Sequence, residues 1–244
     1  MVREINRERP SGLFLTGDIS SGVKLESDLS YLAHRINCPI YFVLGNHDMH
    51  LSSFSDTYLK VQNLCVKYPN LHWMTESGVI SLTKKAAVIG TEGWYDGLIG
   101  NPEWLTWTPD WLLIREMRGL SSHEERLAYF RTLAKASADL MERRLEEAFQ
   151  QHKVVYLLTH FPPWKEATRD EGTLMESFWL SYNVNYQMGQ MIERVMETHK
   201  KKRLVVLAGH VHSVAQIWVR HNVECIVDEA HYTGSPKIGQ RFFI

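Results

Sequence analysis

The stretch IYFVLGNHD, residues 40–48, joins an apolar run directly to a cluster of polar side chains. Its first five residues are mostly β-branched or aromatic and do not alternate with polar ones, which is typical of a strand buried on both faces. Gly45 frees the backbone for a turn, and Asn46, His47 and Asp48 follow it at once. We therefore predict a buried strand that ends in side chains able to bind a metal ion or a substrate.

Three further apolar runs end in the same way. Residues 13–15 run into Thr-Gly-Asp, residues 154–158 into Thr-His, and residues 204–208 into Gly-His-Val-His. In open α/β sheets, ligands bind outside the carboxyl ends of the parallel strands. We expect this rule to gather one group of candidate metal ligands and catalytic residues at one edge: Asp18, Asn46, His47, Asp48, His160, His210 and His212.

Amphipathic stripes between the runs predict helices over residues 25–36, 54–65, 124–152 and 188–196. Residues 71–82 and 216–227 have the pattern of two β-hairpins, and residues 86–90 that of a further strand. We predict an α/β fold of two stacked mixed β-sheets flanked by helices, a four-layer αββα sandwich. The whole chain, 1–244, is expected to be a single domain with a helical excursion over about 110–152.

Composition excludes several classes of protein. Of 244 residues, 44% are hydrophobic and 23% charged, which is typical of a soluble globular protein and not of a disordered, collagen-like or coiled-coil one. The 27 basic and 28 acidic residues nearly balance, so no global positive field favours nucleic acid as a partner. No apolar run is long enough to span a membrane, and the first ten residues lack the apolar core of a signal peptide. Three cysteines without a CxxC pair indicate reduced thiols, so we expect a cytoplasmic protein, of an oligomeric state that the sequence does not fix.

Imidazole, carboxylate and amide donors together suit a divalent ion such as manganese, iron or zinc. A carboxylate can bridge two ions about 3.5–4 Å apart, the spacing of two-metal phosphoryl-transfer sites. His210 and His212, two residues apart, could bind one ion each. His50 lies close to the first cluster but fits no element of this pattern, and we expect it to be structural.

In order along the chain, Gly17-Asp18, Gly45-Asn46-His47-Asp48, the lone His160 and Gly209-His210-Val211-His212 resemble the motifs of the calcineurin-like metallophosphoesterase family. The resemblance runs from Gly17 to His212. It implies that Asp18 bridges two metal ions. It also implies that Asn46, His160 and His210 complete the coordination of one ion and that His212 binds the other.

The resemblance further implies a hydrolase that cleaves a phosphomonoester or phosphodiester, with a metal-bound hydroxide as the nucleophile. His47 would touch no metal, but would protonate the leaving-group oxygen or stabilise charge on the phosphoryl group. Asp48 would orient His47, as a carboxylate next to an imidazole often does.

The family's first element, D-x-H, does not occur before Gly17. This element would add an aspartate and a histidine to the ion bound by His212, so we expect that site to be incomplete and the first strand of the fold to be missing. Either the recorded start lies inside the real reading frame, or the protein holds one metal ion. The second case predicts a single-metal or non-catalytic relative that acts as a binding or regulatory module. A third reading, a nuclease, needs a basic groove that the balanced charge does not predict.

An aromatic segment over residues 90–110 includes Trp94, Tyr95, Trp104 and Trp107, and Trp164 lies beyond it. Long irregular segments of this kind are often functional. Trp94, Tyr95 and Trp164 are therefore candidates for stacking on the base or sugar of a nucleotide-like substrate. The alternative is a loop that packs beneath its own tryptophans.

Overall fold

The computed structural model of the chain describes residues 1–101, 108–170, 173–174, 177–212, 214–228 and 239–243. Strands and helices alternate along much of this length. The strands in these residues are β1 (Leu13–Thr16), β2 (Ile40–Val43), β3 (Leu71–Trp73), β4 (Ile80–Ser81), β5 (Ala86–Gly90), β6 (Val154–Leu158), β7 (Arg169–Asp170), β8 (Thr173–Leu174), β9 (Arg203–Ala208), β10 (Ala215–Arg220) and β11 (Val223–Val227). The α-helices are α1 (Val2–Glu8), α2 (Leu25–Arg35), α3 (Phe54–Lys67), α4 (Met74–Ser77), α5 (Pro109–Leu113), α6 (Arg115–Arg118), α7 (His123–Gln151), α8 (Ser177–Leu180) and α9 (Tyr186–Thr198).

Two larger sheets organise the fold. The first contains three parallel strands in the order β1-β2-β3. The second has the order β10-β11-β9-β6-β5-β4, with parallel pairs in its middle and an antiparallel pair at each end. The prediction of an α/β fold with two sheets is thereby confirmed, with the refinement that the first sheet has only parallel pairs among the described strands.

The two sheets are stacked face to face. Val43 of β2 shares a buried cluster with Val88 of β5 and Leu158 of β6, and all three are 0% exposed. A side chain of this kind contributes about 1.5–3 kcal/mol by leaving water. Burial between the sheets therefore explains why the facing sides of these strands are apolar.

Helices cover the outer faces of both sheets. Leu29 of α2 packs into the same cluster as Phe42 on the first sheet. Leu145 of α7 and Ile192 of α9 belong to the cluster that includes Leu157 on the second sheet. The order of layers is thus helices, sheet, sheet and helices, as the sequence predicts.

The four predicted helices and the hairpin at 216–227 are present. The long helix α7 begins with a capping box, in which the Ser122 hydroxyl accepts the N–H of Glu125 and the Glu125 side chain binds back to the N-cap. Such a cap stabilises a helix by about 1 kcal/mol. None of the helices in the described residues combines the length and apolar character that a membrane-spanning segment requires.

The predicted hairpin at 71–82 is wrong. Strand β3 pairs in parallel with β2 in the first sheet, whereas β4 pairs with β5 in the second. The short helix α4 lies between them, and its first residue, Met74, is fully buried in the cluster between the sheets. The chain crosses from one sheet to the other at this point, because each strand finds its partner elsewhere.

The carboxyl ends of β1 and β2 meet those of β6 and β9 across the two sheets. The ring of His160, after β6, bonds the backbone oxygen of Thr16 at the end of β1 at 2.7 Å. The N–H of Gly209, after β9, donates to the backbone oxygen of His160 at 2.9 Å. Asn46, after β2, also lies 3.1 Å from the His160 ring, so all four loops that carry the predicted site contact the residue His160 or contain it.

Candidate metal centre

Four predicted ligands lie together where these loops meet. His160 Nε2 is 3.1 Å from Asn46 Oδ1 and 3.4 Å from Asp18 Oδ1. His210 Nδ1 is 3.2 Å from the same Asn46 oxygen. One donor atom each from Asp18, His160 and His210 falls within 4.8 Å of the others. The structure thus brings together a carboxylate, an amide and two imidazoles.

The contact with Thr16 determines the orientation of the His160 ring. The backbone oxygen of Thr16 can only accept a hydrogen bond, so His160 Nδ1 carries the proton that bonds it. In the neutral ring Nε2 then has a free lone pair, directed at the oxygens of Asn46 and Asp18. Metal-binding histidines are commonly fixed in this way by a backbone carbonyl.

The orientation of the Asn46 amide is fixed from the opposite side. Its Nδ2 donates to Asp110 Oδ1 at 2.9 Å, which leaves Oδ1 facing His160 and His210. Both ends of this buried amide therefore have an assigned partner, and the oxygen points into the cluster.

The oxygens of Asp18 and Asn46 and the ring nitrogens of His160 and His210 consequently lie close together, and each ring nitrogen can present either a proton or a lone pair to these oxygens. Acceptors at 3.1–3.4 Å repel each other unless a proton or a metal ion lies between them. Carboxylate, amide and imidazole donors are the set that manganese, iron or zinc accepts. The residues present fit a divalent cation.

The acid–base properties of the cluster agree with this chemistry. Burial disfavours the charged form of Asp18, but the charge of His160 and its hydrogen bond outweigh burial and hold the pKa of this carboxyl well below its usual value. Burial also works against the charged form of His160, yet the charge of Asp18 raises the pKa of that ring. Burial and the charge of His160 together lower the pKa of His210 well below its usual value. Positive charge beside Asp18 is therefore favoured on His160 and disfavoured on His210.

Two of the ligands have unusual backbone conformations. Asp18 has φ 50° and His210 has φ 67°, both in the left-handed region that few residues other than glycine adopt. Such strain collects at functional sites and persists only where the surroundings enforce it. Gly45 lies against the same cluster, where a Cβ atom would be 2.1 Å from Asp18 Oδ1. The absence of a side chain at Gly45 is a condition for the site to close.

Asp48 connects the loops after β1 and β2. Its fully buried carboxylate accepts the backbone N–H groups of Gly45 at 2.8 Å, Ser20 at 2.8 Å and Ile19 at 3.3 Å. Burial and the nearby charge of Asp18 raise the pKa of Asp48 to about 7, against the opposing effect of these bonds. These contacts position the loop that carries His47, whereas the predicted orientation of the His47 ring by Asp48 stays a prediction.

His47 lies beside the four ligands. Its backbone N–H donates to Asp18 Oδ1 at 2.9 Å, and its charge contributes to the lowered pKa of Asp18. Its ring packs on that of His50 with centroids 4.7 Å apart. His50 is 7% exposed, and its Nε2 lies 2.7 Å from Asp110 Oδ1. His47 is thus flanked by the ligand cluster and by a buried histidine–aspartate pair.

His212 follows His210 by two residues and is half-buried. Its charge is the smallest of the effects that lower the pKa of His210, after burial, the charge of His160 and others. Within the part of the chain that the structure describes, the group of three clustered donors does not include His212. The predicted second ion, between Asp18 and His212, stays a prediction.

The candidate stacking residues lie in the core. Trp94 and Tyr95 are 2% and 1% exposed and pack on Phe161 at 5.2 and 5.5 Å between ring centroids. Phe161 in turn packs on His210 at 4.2 Å, so these rings support the metal centre from behind. Trp164 is 7% exposed and donates to Glu193 on α9. Stacking of a substrate on these rings stays a prediction, and Trp104 and Trp107 lie outside the described residues.

Asp110 and His50 are the residues of the centre that sequence reasoning missed. Asp110 follows Asn46 by 64 residues and belongs to the short helix α5. No motif or periodicity connects the two positions. For His50, its place three residues after His47 was a signal, but the sequence offered no partner for it.

Comparison with known proteins gives one family. The sequence model of the family described as calcineurin-like phosphoesterase matches residues 1–214 of the chain. No curated protein sequence gives a significant match.

Solved structures of similar fold were also found. A dimetal phosphatase from Danio rerio has a TM-score of 0.56 and 13% identity over 93% of this chain and 75% of its own. A candidate 5′-nucleotidase from Staphylococcus aureus, in complex with alpha-ketoglutarate, has a TM-score of 0.49 and 12% identity. The match covers 93% of this chain and 42% of the nucleotidase. GAP50, the anchor in the inner membrane complex of Plasmodium, has a TM-score of 0.47 and 12% identity, and the match covers 99% of this chain and 68% of GAP50. The first supports the fold, and the other two, below 0.5, carry no further weight.

Proposed function

The chain belongs to the calcineurin-like phosphoesterase family, and we propose that it hydrolyses a phosphomonoester or phosphodiester at the centre formed by Asp18, Asn46, His160 and His210. Membership makes it a metal-dependent hydrolase of phosphoesters. The choice of these four residues as ligands is our proposal.

One observation carries this assignment. Oxygen atoms of a carboxylate and an amide and nitrogen atoms of two imidazoles converge at separations of 3.1–3.4 Å, and the backbone of Thr16 and the side chain of Asp110 fix the orientations of His160 and Asn46. Each of these four side chains offers a lone pair when the atom that faces the cluster carries no proton. Their convergence is what a cation-binding site requires.

The bound ion and the side chains around it have separate chemical roles. A divalent ion bound by these donors supplies a Lewis acid that polarises a phosphoryl oxygen and lowers the pKa of a water molecule. Asp18, with its lowered pKa, remains ionised and compensates the positive charge. His47 donates a proton to the leaving-group oxygen or stabilises charge on the phosphoryl group. We also propose a second ion, held by Asp18 and His212. This part of the proposal rests on the order in which the motifs occur along the sequence.

The test is metal-dependent turnover of two chromogenic substrates, p-nitrophenyl phosphate and bis(p-nitrophenyl) phosphate, which separates monoester from diester hydrolysis. Protein stripped of metal and titrated with Mn²⁺ should gain activity that saturates. His47→Ala should lower kcat by about 10²–10⁴-fold while leaving the affinity for Mn²⁺ unchanged. His34→Ala, which removes an exposed histidine on α2, is the matched control and should behave as the wild type.

Three results would count against the proposal. Turnover that needs no divalent ion would refute the metal centre, and wild-type turnover by His47→Ala would refute the role of His47. One ion or none per chain with no turnover of either substrate would favour the alternative, a relative that serves as a binding or regulatory module.

A further inference from the structure

We propose that Asp110 is a positioning residue of the metal centre, a step that rests on the proposed function. Its buried carboxylate fixes the amide of Asn46 with the oxygen toward the ion, and through His50 it holds the ring of His47 in place. The helical excursion that contains α5 thus completes a site whose predicted ligands all lie at strand ends.

A single oxygen makes both contacts. Asp110 Oδ1 accepts from Asn46 Nδ2 at 2.9 Å and lies 2.7 Å from His50 Nε2. Asp110 is 4% exposed, Asn46 7% and His50 7%, so water does not compete freely for these bonds. A carboxylate oxygen with two partners so close orders both side chains.

The backbone fixes the position of Asp110. The N–H of Leu51 donates to the oxygen of Leu113 at 2.8 Å, and the N–H of Arg115 donates to the oxygen of Ser52 at 2.9 Å. These bonds join the end of α5 and the residues after it to the two residues that follow His50. The segments that carry Asp110 and Asn46 are therefore held together by backbone hydrogen bonds, and the contact between the two side chains does not depend on a flexible surface loop.

The consequence for metal binding follows from the symmetry of the amide. Oxygen and nitrogen of Asn46 occupy almost the same space, so only hydrogen bonding decides which one faces His160 and His210. Without the Asp110 acceptor, the Nδ2 group can turn toward the two ring nitrogens, which would satisfy them and remove the amide oxygen from the ligand set. Loss of a partner that orients a metal ligand commonly lowers metal affinity about 10–100-fold.

Four variants separate this role from a general effect on folding. Asp110→Ala removes the acceptor, whereas Asp110→Asn keeps an oxygen for Asn46 Nδ2 and loses only the charge. Asp56→Ala is the matched control, because Asp56 forms an exposed ion pair with Arg115 between the same two segments without contacting Asn46. His50→Gln removes the support of His47 and leaves the contact with Asn46.

The first readout is the affinity of metal-free protein for Co²⁺, followed by its visible absorption, with thermal melting of each variant beside it. We expect Asp110→Ala to bind about 10–100-fold more weakly and Asp110→Asn within about 3-fold of the wild type. Asp56→Ala should be unchanged. His50→Gln should keep its Co²⁺ affinity and lose kcat but not KM. Wild-type affinity in Asp110→Ala would overturn the proposal, as would an equal loss in Asp56→Ala.

The second readout needs no metal ion. In the metal-free protein, hydrogen exchange of the Asn46 side-chain amide, measured by NMR, should be protected in the wild type and in Asp56→Ala and fast in Asp110→Ala. Fast exchange in the wild type would overturn the positioning role. If wild-type protein binds no Co²⁺ while Asn46 is protected by Asp110, the proposed metal centre fails and the positioning contact stands.

Discussion

Replacement of Gly45 by alanine tests how closely the loops of the metal centre approach each other. The new Cβ atom would lie 2.1 Å from Asp18 Oδ1, 2.5 Å from the backbone nitrogen of Asp18 and 2.7 Å from His160 Cε1. Real Cβ contacts essentially never fall below 3.0 Å. Relief therefore requires residue 45 to separate from Asp18 and His160 by up to about 1 Å, because the backbone nitrogen of Asp18 cannot rotate away.

A displacement of about 1 Å at a catalytic centre can cost about 10²-fold in rate. We expect Gly45→Ala to lose roughly that factor in kcat/KM for the better of the two chromogenic substrates, together with much of its Co²⁺ affinity. Overpacking of this kind also costs about 1–3 kcal/mol of unfolding free energy. Urea denaturation, Co²⁺ titration and initial rates measure the three quantities on the same preparations.

Gly119→Ala is the matched control. Its φ is −79°, and the nearest atom to a new Cβ, the backbone oxygen of Glu116, lies 3.7 Å away. This variant should keep wild-type affinity and rate. Wild-type metal affinity and turnover in Gly45→Ala would refute the geometry of the centre described above.

Three further predictions concern stability. Asp48→Ala should lower the unfolding free energy by about 3 kcal/mol or more in urea denaturation, because three backbone N–H groups lose their buried acceptor. A loss under about 1 kcal/mol would contradict the role given to this carboxylate. Burial raises the pKa of Glu92 above its ordinary 4.5, so the stability that this group contributes is present below pH 4.5 and is lost as the pH rises through the folded-state value. Glu92→Gln should therefore gain unfolding free energy relative to the wild type as urea denaturation is repeated from about pH 4 to 8, and a constant difference would show that the carboxyl is not perturbed. Mn²⁺ at about 100 times its Kd should stabilise the wild type by about 2.7 kcal/mol, visible as a rise in Tm that EDTA reverses, and His210→Ala should lose this rise.

Much of the fold could be predicted because the buried strands are short, apolar on both faces and followed at once by polar residues. The strand at 40–43 and the turn after it illustrate this, since Phe42 and Val43 are fully buried and Asn46 and His47 lie at the centre. The strand pairing within residues 71–82 could not be predicted correctly from the sequence. Local alternation does not reveal that β3 and β4 pair in different sheets.

The proximity of the four proposed ligands could be predicted for the same reason as the strands, since the carboxyl ends of parallel strands meet at one edge. The residues that orient those ligands could not. Asp110 contacts Asn46 across 64 positions, and Thr16 orients His160 through its backbone oxygen, which any residue would offer. Contacts of these two kinds depend on the folded chain and leave no pattern in the sequence.

Anomalous diffraction from crystals grown with Mn²⁺ tests the central claim most directly, because it locates the ion without reference to activity. We predict a peak with Asp18 and Asn46 oxygens and His160 and His210 nitrogens about 2.0–2.2 Å away. A second peak near His212 would support the two-ion proposal. An ion bound elsewhere on the chain, with none at these four side chains, would contradict the claim that their converging oxygen and nitrogen atoms form a metal centre.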